Sequence, residues 1–281
     1  MNRPLRVAVP NKGALSDGAS QMLTEAGYIG RSDARALTVS DSRNGVEFFF
    51  LRPRDIATYV GSGDLDLGIT GRDLLFDSET KARELQPLGF GLSTFRFAGP
   101  KNFSAESDLE GKRVATSYPR LTKSFFRDKS ISAKIITLDG AVESAVSLGV
   151  ADVVADVVST GSTLRSQGLY AFGPVLLESE AVLVGSNSET PAAQTLMRRL
   201  YGVWIARQYV LMDYDLPLSL LEKAEEITPG LESPTVSPLR DPNWVAIRAM
   251  VPKKEANEVM DRLYDLGARA VLASAVHSAR I

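Results

Sequence analysis

The residues best suited to chemistry lie between Asp152 and Leu164, in a stretch typical of a buried strand followed by a hydroxyl-rich turn. Gly161 permits a tight turn, and the hydroxyls around it add hydrogen-bond donors to the backbone amides. A helix predicted after the turn adds the positive partial charge of its first residues. The stretch therefore predicts an anion-binding cradle formed by Ser159, Thr160, Gly161, Ser162 and Thr163. The same turn is also typical of an ordinary helix cap, and both interpretations stand at this point.

Asp156 lies on the strand that leads into this turn. Asp152 and Asp156 are four residues apart, so both side chains project from the same face of the strand. Asp156 is the nearer of the two to the turn. We therefore expect its carboxylate to accept hydrogen bonds from ribose hydroxyls.

Basic residues follow several other predicted strands: Lys12 in Pro10-Asn11-Lys12-Gly13, Arg52 and Arg54 after Phe48–Phe50, and Arg72 after Asp66–Gly71. The carboxyl ends of strands in an α/β sheet meet the ligand crevice, so these cations are candidate contacts for a polyanion. The competing interpretation is a solvated lysine and arginines in surface ion pairs. The glycines nearby do not form a dinucleotide-binding fingerprint between a strand and a helix.

Composition excludes several classes of protein. The 281 residues are 44% hydrophobic and 23% charged, and 32 Lys and Arg against 34 Asp and Glu give 32 − 34 = −2. This balance does not favour nucleic acid or an anionic membrane as a partner, so we expect a small ligand. The absence of cysteine excludes disulfides and thiolate nucleophiles, and the single histidine, His277, excludes multi-histidine metal sites.

The sequence also predicts where the protein resides. Residues 1–15 lack the apolar stretch of a secretory signal, and no apolar run approaches the roughly 18 residues of a membrane helix. We expect a cytoplasmic protein.

Short apolar strands alternate with helical patterns, which predicts an α/β fold. The predicted strands are Leu5–Val9, Val46–Leu51, Leu65–Thr70, Arg113–Thr116, Ala133–Leu138, Ala151–Val158 and Ala181–Val184, with a helix over Ser16–Ala26. Polar, turn-rich residues 99–111 place a crossing between two lobes near Phe95–Gly99, and we expect the return near Glu180. The lobes are then residues 1–97 with 180–207, and residues 98–179.

The last part of the chain, residues 208–281, predicts a separate unit. A long helix starts at Thr190-Pro191 and precedes it. The pattern that follows is β-α-β-β-α-β: Tyr209–Tyr214, Leu218–Glu226, Pro234–Leu239, Trp244–Val251, Glu255–Leu266 and Ala270–Val276. This order is typical of a ferredoxin-like domain.

Together these segments resemble the long form of the ATP phosphoribosyltransferase family, whose reaction is the first step of histidine biosynthesis. The resemblance rests on Val9–Gly13, Asp66–Gly71, Asp156–Leu164 and Thr228–Thr235, in this order and nearly end to end. It implies two lobes of the periplasmic-binding-protein type and a C-terminal regulatory domain. It also implies dependence on Mg²⁺, feedback inhibition by L-histidine, and a homo-hexamer built from dimers.

The resemblance also implies roles for individual residues. The loop Ser159–Thr163 would hold the 5-phosphate of phosphoribosyl pyrophosphate, with Asp156 beside the ribose. The nucleotide site for ATP would comprise Lys12, Arg52, Asp66, Gly68, Thr70 and Arg72. Asp156 and Lys12 would be the catalytic residues. The implied reaction joins N1 of the ATP adenine to the anomeric carbon of the ribose and releases pyrophosphate, without a covalent enzyme nucleophile.

The histidine site implied by the resemblance lies in the C-terminal domain. Asp213 would pair with the amino group or imidazolium, and Leu231, Ser233 and Thr235 would lie beside the turn at Pro229-Gly230. Ala273 and Ser274 would complete the pocket from a neighbouring strand or subunit.

Two other functions remain open. Prephenate dehydratase joins a similar two-lobed fold to a regulatory domain, and Glu232-Ser233-Pro234 resembles its regulatory motif, but its Thr-Arg-Phe active-site triplet is replaced here by Thr94-Phe95-Arg96. A non-catalytic small-molecule binding module would account for the lobes but not for a lysine and a hydroxyl loop at paired strand ends.

Overall fold

The computed structural model describes residues 3–31, 33, 35–186 and 190–280, and these residues form three sheets. The expected domain ranges begin and end on residues 1 and 281, which lie outside the described part. The strands are β1 Leu5–Pro10, β2 Thr38–Asp41, β3 Val46–Leu51, β4 Leu67–Gly71, β5 Arg83–Pro87, β6 Ser93–Gly99, β7 Arg113–Thr116, β8 Lys134–Thr137, β9 Val153–Val158, β10 Tyr170–Ser179, β11 Ala181–Gly185, β12 Tyr209–Pro217, β13 Thr235–Pro238, β14 Trp244–Pro252 and β15 Arg269–Ala275.

The helices connect these strands as the alternating pattern predicts. They are α1 Ala14–Glu25, α2 Pro53–Ser62, α3 Arg72–Ser78, α4 Pro119–Lys129, α5 Ser144–Ser147, α6 Ser162–Ser166, α7 Pro191–Gln208, α8 Leu221–Ile227 and α9 Ala256–Leu266. No helix among the described residues has the length and apolar character needed to cross a membrane.

The first sheet has the order β2-β3-β1-β4-β11-β5. Strands β1, β3 and β4 run parallel, so their carboxyl ends lie at one edge of the sheet. The residues of β1 and β4 are buried in near-continuous runs, as expected for strands covered on both faces, whereas β3 alternates between buried and partly exposed residues. Helix α2 packs closely here because Gly68 has no side chain: a Cβ would lie 2.5 Å from Cγ2 of Ile56.

The second sheet has the order β10-β6-β9-β7-β8. Its core includes Phe95 and Phe97 of β6 packed with Phe126 of α4 and Phe172 of β10. Strand β6 already belongs to this sheet, so the chain leaves the first sheet within residues 88–92, somewhat before the crossing expected at 95–99. The return takes place between β10 and β11, at Glu180.

The third sheet has the order β13-β14-β12-β15, with all of its neighbouring strands antiparallel. Helices α8 and α9 cover one face, where Met212, Tyr214 and Leu263 are buried. This strand order and the two connecting helices form a ferredoxin-like domain. The chain divides into two compact units: Met1–Thr24 with Tyr28–Thr195, which contains the first two sheets, and Glu25–Gly27 with Leu196–Ile281.

Candidate active site

A cleft in the first unit lies where strands of the first and second sheets end. Strands β1 and β4 lead into Lys12 and Asp73, and strands β7 and β9 lead into Tyr118 and Ser159. The cleft encloses about 500 Å³. Its lining is Lys12, Gly13, Ala14, Leu15, Pro53, Gly71, Asp73, Leu74, Gly91, Leu92, Ser93, Tyr118, Val157 and Ser159. The structure thus brings Lys12 and the start of the hydroxyl loop to one cavity.

The hydroxyl loop has the backbone that the glycine at 161 predicts. Gly161 has φ 67°, in the left-handed region, and it immediately precedes α6. Oγ1 of Thr160 and Oγ of Ser162 lie 3.0 Å apart, and the Arg165 guanidinium donates to the carbonyl of Thr160 at 2.9 Å. The hydroxyl-bearing residues Ser159, Thr160, Ser162 and Thr163 are exposed. Their oxygens are therefore accessible to a ligand.

Asp156 lies on β9, three residues before the loop, and is largely buried. Its Oδ1 accepts a hydrogen bond from the backbone amide of Val157 at 2.8 Å. Burial is the main cause that raises the pKa of Asp156 to about 6. The nearby carboxylates of Glu143 and Asp73 act in the same direction, and the Val157 amide and Arg54 act against it. The carboxyl group is poised to change charge close to neutral pH.

This pKa predicts a pH dependence. Because the carboxyl is charged above about pH 6 and neutral below it, a function of the anion is expected to decline as the pH falls through about 6. We expect any activity that depends on this anion to fall, as kcat/KM, below that pH in the parent protein. In Asp156→Asn the step should vanish from the pH profile; a step of the same size and midpoint in that variant would show that another group titrates.

Two titratable residues of the cleft lining, Asp73 and Tyr118, are absent from the predicted site. Asp73, 6% exposed, follows β4, and its Oδ1 accepts a hydrogen bond from Oγ of Ser179 at 2.6 Å. Burial, together with the nearby Asp73 carboxylate, raises the pKa of the Tyr118 phenol. Gly71 is required beside them, since a Cβ there would collide with Oδ1 of Asp73. The glycine before a strand-end acid was the signal that could have identified Asp73.

Lys12 and Arg52 are placed as the sequence predicts, after β1 and β3 at the same edge of the sheet. Both side chains are exposed, and neither has an ion-pair partner among the described residues. Lys12 lines the cleft, whereas Arg52 precedes α2 and lies outside the lining.

Arg72 is placed differently from the expectation. Its guanidinium donates to Glu84 at 2.8 Å, to Glu180 at 3.2 Å and to the carbonyl of Glu178 at 3.2 Å. The Glu84 and Glu180 carboxylates raise the pKa of Arg72, which keeps the charge fixed in this network. Its donors are engaged by protein groups, so the structure does not present Arg72 to the cleft.

The remaining residues predicted for the nucleotide site also lie away from the cleft lining. Asp66 precedes β4 and therefore lies at the opposite edge of the sheet from Lys12, where it pairs with Arg3 at 2.7 Å and accepts from the amide of Arg6. Gly68 faces α2 inside the core. Thr70 is fully buried, and its hydroxyl donates to the carbonyl of Pro53 at 2.7 Å. These three residues support the sheet.

The residues predicted for a histidine site lie on the third sheet. Asp213 of β12 forms an ion pair with Arg248 of β14 at 2.6 Å. Arg248 also lines a cavity of about 340 Å³, together with Leu211, Leu231, Glu232, Ser233, Thr235, Ala249, Met250 and Arg280. Ala273 and Ser274 belong to β15, at the other edge of the sheet from β13. Within one chain the structure does not bring these two residues to Thr235, because two strands separate them.

The described residues contain no group of three or more His, Asp or Glu side chains placed to share a metal ion. The donor set therefore does not fit a resident metal cage. Magnesium commonly retains water and binds one or two carboxylates together with phosphate oxygens of a substrate.

Comparison with known proteins identifies the family. A family model described as ATP phosphoribosyltransferase matches residues 52–202, and one described as HisG, C-terminal domain, matches residues 206–278. The ATP phosphoribosyltransferase of Pseudarthrobacter chlorophenolicus is 61% identical over 99% of this chain and 100% of its own length. That of Streptomyces coelicolor is 55% identical, with the same coverage.

Solved structures agree with the fold. The ATP phosphoribosyl transferase (HisG:HisZ) complex from Thermotoga maritima aligns with a TM-score of 0.60 and 26% identity, over 70% of this chain and 98% of that chain. The GluR0 ligand-binding core from Nostoc punctiforme, solved with L-glutamate, aligns with a TM-score of 0.50 and 16% identity over 70% and 92%, which shows a shared two-lobed fold. With both family models and full-length relatives in agreement, the chain belongs to the ATP phosphoribosyltransferase family of enzymes, in its long form with a C-terminal domain.

Proposed function

We propose that this protein transfers the phosphoribosyl group of phosphoribosyl pyrophosphate to N1 of ATP and releases pyrophosphate, the first committed step of L-histidine biosynthesis. The observation that carries the proposal is the single cleft shared by Lys12 and the start of the hydroxyl loop, in a chain of this family. The cleft offers anion donors on one side and an apolar wall on the other. Those are the two surfaces that a sugar phosphate and a purine need.

The hydroxyl loop receives the 5-phosphate. Its backbone turns at Gly161 and its hydroxyls are exposed, so phosphate oxygens replace water as their partners. Asp156 then lies beside the ribose, where its anion stabilises positive charge that develops at the anomeric carbon as pyrophosphate departs. Lys12 neutralises charge on the pyrophosphate or on the triphosphate.

The nucleotide occupies a site that differs from the predicted one. Asp66, Gly68, Thr70 and Arg72 serve the sheet and the ion-pair network described above, so they are left out of the proposed site. Leu74 and the ring of Tyr118 line the cleft and provide an apolar surface for the adenine. Lys12, with Arg52 at the same sheet edge, faces the phosphates.

Magnesium enters this scheme with the substrate. Because the described side chains provide no cage for it, Mg²⁺ would be held mainly by the substrate and by water, and it would supply charge neutralisation for the leaving group. The protein contributes the loop, Asp156 and Lys12.

The test is pyrophosphate release, coupled to a colour reaction, with ATP and phosphoribosyl pyrophosphate, in the presence and absence of Mg²⁺. Release that requires both substrates and Mg²⁺, with an adenine N1 adduct identified by mass spectrometry, supports the proposal. Conversion of prephenate, or tight binding of both ligands without any turnover, would favour a prephenate dehydratase-like enzyme or a binding module instead.

The domain assignment follows the same proposal. The expected lobe boundary at residues 97 and 98 moves to residues 88–92, so β6 belongs to the second lobe, which ends at residue 179. The first catalytic lobe contains the first sheet, and the expected range 180–207 is shortened to end at Thr195, because the residues from Leu196 onwards group with the regulatory domain. L-histidine binds beside Asp213, Leu231, Ser233 and Thr235. Ala273 and Ser274 come from a second subunit, since one chain holds them at the opposite sheet edge. The assembly is a cytoplasmic homo-hexamer built from dimers.

Regulation by histidine is tested by point changes. Thr235 is exposed at the start of β13, and Asp213 forms an ion pair with Arg248, which lines the cavity. We therefore expect Thr235→Val and Asp213→Asn to raise the half-inhibitory histidine concentration about tenfold or more. The measurement is inhibition of pyrophosphate release, with oligomer size checked by light scattering.

Ser237→Ala is the matched control, because Ser237 lies on the same strand two residues further along and is also exposed. If both site variants keep the parent's size and activity and remain as sensitive to histidine as the parent, the effector binds elsewhere.

A further inference from the structure

Asp77 is a buried carboxylate that plays no part in the site described above. It lies on α3 and is 5% exposed. Its Oδ1 accepts hydrogen bonds from the backbone amides of Arg120 at 2.9 Å and Leu121 at 3.1 Å, and its Oδ2 accepts one from Nη1 of Arg54 at 3.0 Å. A buried carboxylate is stable only with such partners, and all three come from other segments of the chain.

The two amides are the first free donors of helix α4. The residue that precedes this helix, Tyr118, provides no side-chain cap, and Pro119 occupies the first turn. Asp77 therefore caps α4 from a distance of 43 residues in sequence. A carboxylate at this position satisfies orphan amides and also interacts favourably with the positive end of the helix.

This cap joins the two sheets across the cleft. Helix α3 follows β4 of the first sheet, whereas α4 follows β7 of the second sheet. Arg120 strengthens the junction, since its guanidinium donates to the carbonyl of Ser78 at 2.9 Å. Arg54 of α2 adds a third contact to the junction. The Arg54 guanidinium forms an ion pair with Asp77, and it also lies 4.9 Å from the centre of the Tyr118 ring.

The junction includes the residue Tyr118, which lines the cleft. Asp73 and Asp77 are four residues apart on α3, so they share a helix face. The Asp73 carboxylate lies near the Tyr118 phenol, and Asp77 accepts hydrogen bonds from the amides that follow Tyr118 by two and three residues. Helix α3 therefore contacts the segment that connects β7 to α4, on which Tyr118 lies.

We propose that Asp77 is a positioning residue that, by capping α4 across the cleft, holds the Tyr118 ring in place as the wall against which the nucleotide base binds. The inference rests on the proposed function for the location of ATP. Asp77 touches no substrate. Its effect is to keep most molecules, before ATP binds, in the conformation that places the Tyr118 ring against the base. If the fraction of molecules in that conformation falls, the apparent Kd for ATP rises in proportion.

The experiment compares Asp77→Ala and Asp77→Asn in the full-length protein. Asp77→Ala removes the cap, and we expect Kd for ATP by calorimetry and KM for ATP to rise about tenfold, with KM for phosphoribosyl pyrophosphate within about twofold of the parent. Asp77→Asn keeps an oxygen acceptor for both amides of α4, so we expect it to restore ATP binding to within about threefold of the parent.

Asp108→Ala is the matched control. Oδ2 of Asp108 also accepts hydrogen bonds from two backbone amides, those of Ser104 and Ala105, but all three residues lie in one short segment of the second lobe, at the start of the 3-10 helix Glu106–Leu109. We expect this control to lower the melting temperature and to leave both KM values unchanged. If Asp77→Ala does not give soluble protein, Asp77→Glu takes its place, since the longer side chain keeps the charge but displaces the acceptor.

Equal increases in both KM values, or ATP binding unchanged in Asp77→Ala and Asp77→Glu, would overturn the inference. So would a failure of Asp77→Asn to restore ATP binding. Calorimetry with ATP alone keeps this result separate from the proposed reaction: a parent that binds ATP without releasing pyrophosphate would contradict the function and leave the positioning role intact.

Discussion

Asp156→Asn is expected to lower kcat by about 10²–10³-fold, which is the usual cost of removing one preorganised electrostatic stabiliser from a dry site. The change preserves size and removes charge. Asp156 lies in a largely buried position on β9, close to the carboxylates of Asp73 and Glu143, so its negative charge is poorly screened by water. That charge is useful only when positive charge develops on the ribose, and ATP binding should change by less than about threefold.

The measurement pairs steady-state kinetics with ATP calorimetry. Asp152→Asn is the matched control, because Asp152 lies on the same face of the same chain segment but forms an ion pair with Arg113 at 2.8 Å, away from the loop. We expect turnover in the control to remain near that of the parent. Equal losses of ATP affinity and turnover in Asp156→Asn would instead place Asp156 in the nucleotide pocket or in the scaffold.

Removing the loop hydroxyls should have the second largest effect. For Thr160→Ala and Thr163→Ala we expect phosphoribosyl pyrophosphate to bind about 10- to 100-fold more weakly, since a hydrogen bond to a charged group contributes ~1.5 to 3 kcal/mol. Both side chains are exposed, so neither change buries an unsatisfied group or opens a cavity. The melting temperature should therefore hardly move.

Ser166→Ala provides the comparison for the loop. Ser166 also carries an exposed hydroxyl, but it lies at the last turn of α6 and donates to the carbonyl of Thr163 at 2.7 Å. Calorimetry with the sugar phosphate measures all three variants. Unchanged affinity in both threonine variants would show that the loop only caps α6, which is the alternative that the sequence leaves open.

The central strands other than β6 are the part of the fold that can be predicted from sequence. Val46–Leu51 and Arg113–Thr116 have the predicted bounds, and the β-α-β-β-α-β order of the last domain is confirmed. The missed strands are β2, β5, β6 and β10. Strands β2, β5 and β10 lie at sheet edges, whereas β6 is central in the second sheet and falls where the sequence predicts the crossing between the lobes. An edge strand pairs on one side only and stays partly exposed, so segments such as Arg83–Pro87 lack the apolar run that identifies a central strand.

Some residues of the candidate site could be predicted from the sequence and others could not. Lys12, Asp156 and the hydroxyl loop could be located because each directly follows or occupies an apolar strand. Arg72 follows a strand too, yet its carboxylate partners lie 12 and 108 residues away, and local sequence carries no sign of them. Asp73 is missing from the predicted site, because its place in the cleft depends on Ser179 and Tyr118, which lie near it only in the folded chain.

The two passages between the sheets lie side by side. The amide of Leu88 donates to the carbonyl of Ala181 at 3.0 Å, the amide of Ala181 donates to the carbonyl of Phe90 at 2.8 Å, and the Glu180 carboxylate accepts from the amide of Gly89 at 2.9 Å. The second sheet and its helices are therefore topologically an insertion, which leaves the first sheet and rejoins it at neighbouring points. In the first sheet, β11 pairs with both β4 and β5. This pairing requires only that the residues leaving the first sheet after β5 lie next to the residues returning to it before β11. The entropic cost of closing so long a loop rises only slowly with its length. The inserted segment could therefore lengthen or shorten with little effect on the stability of the first sheet.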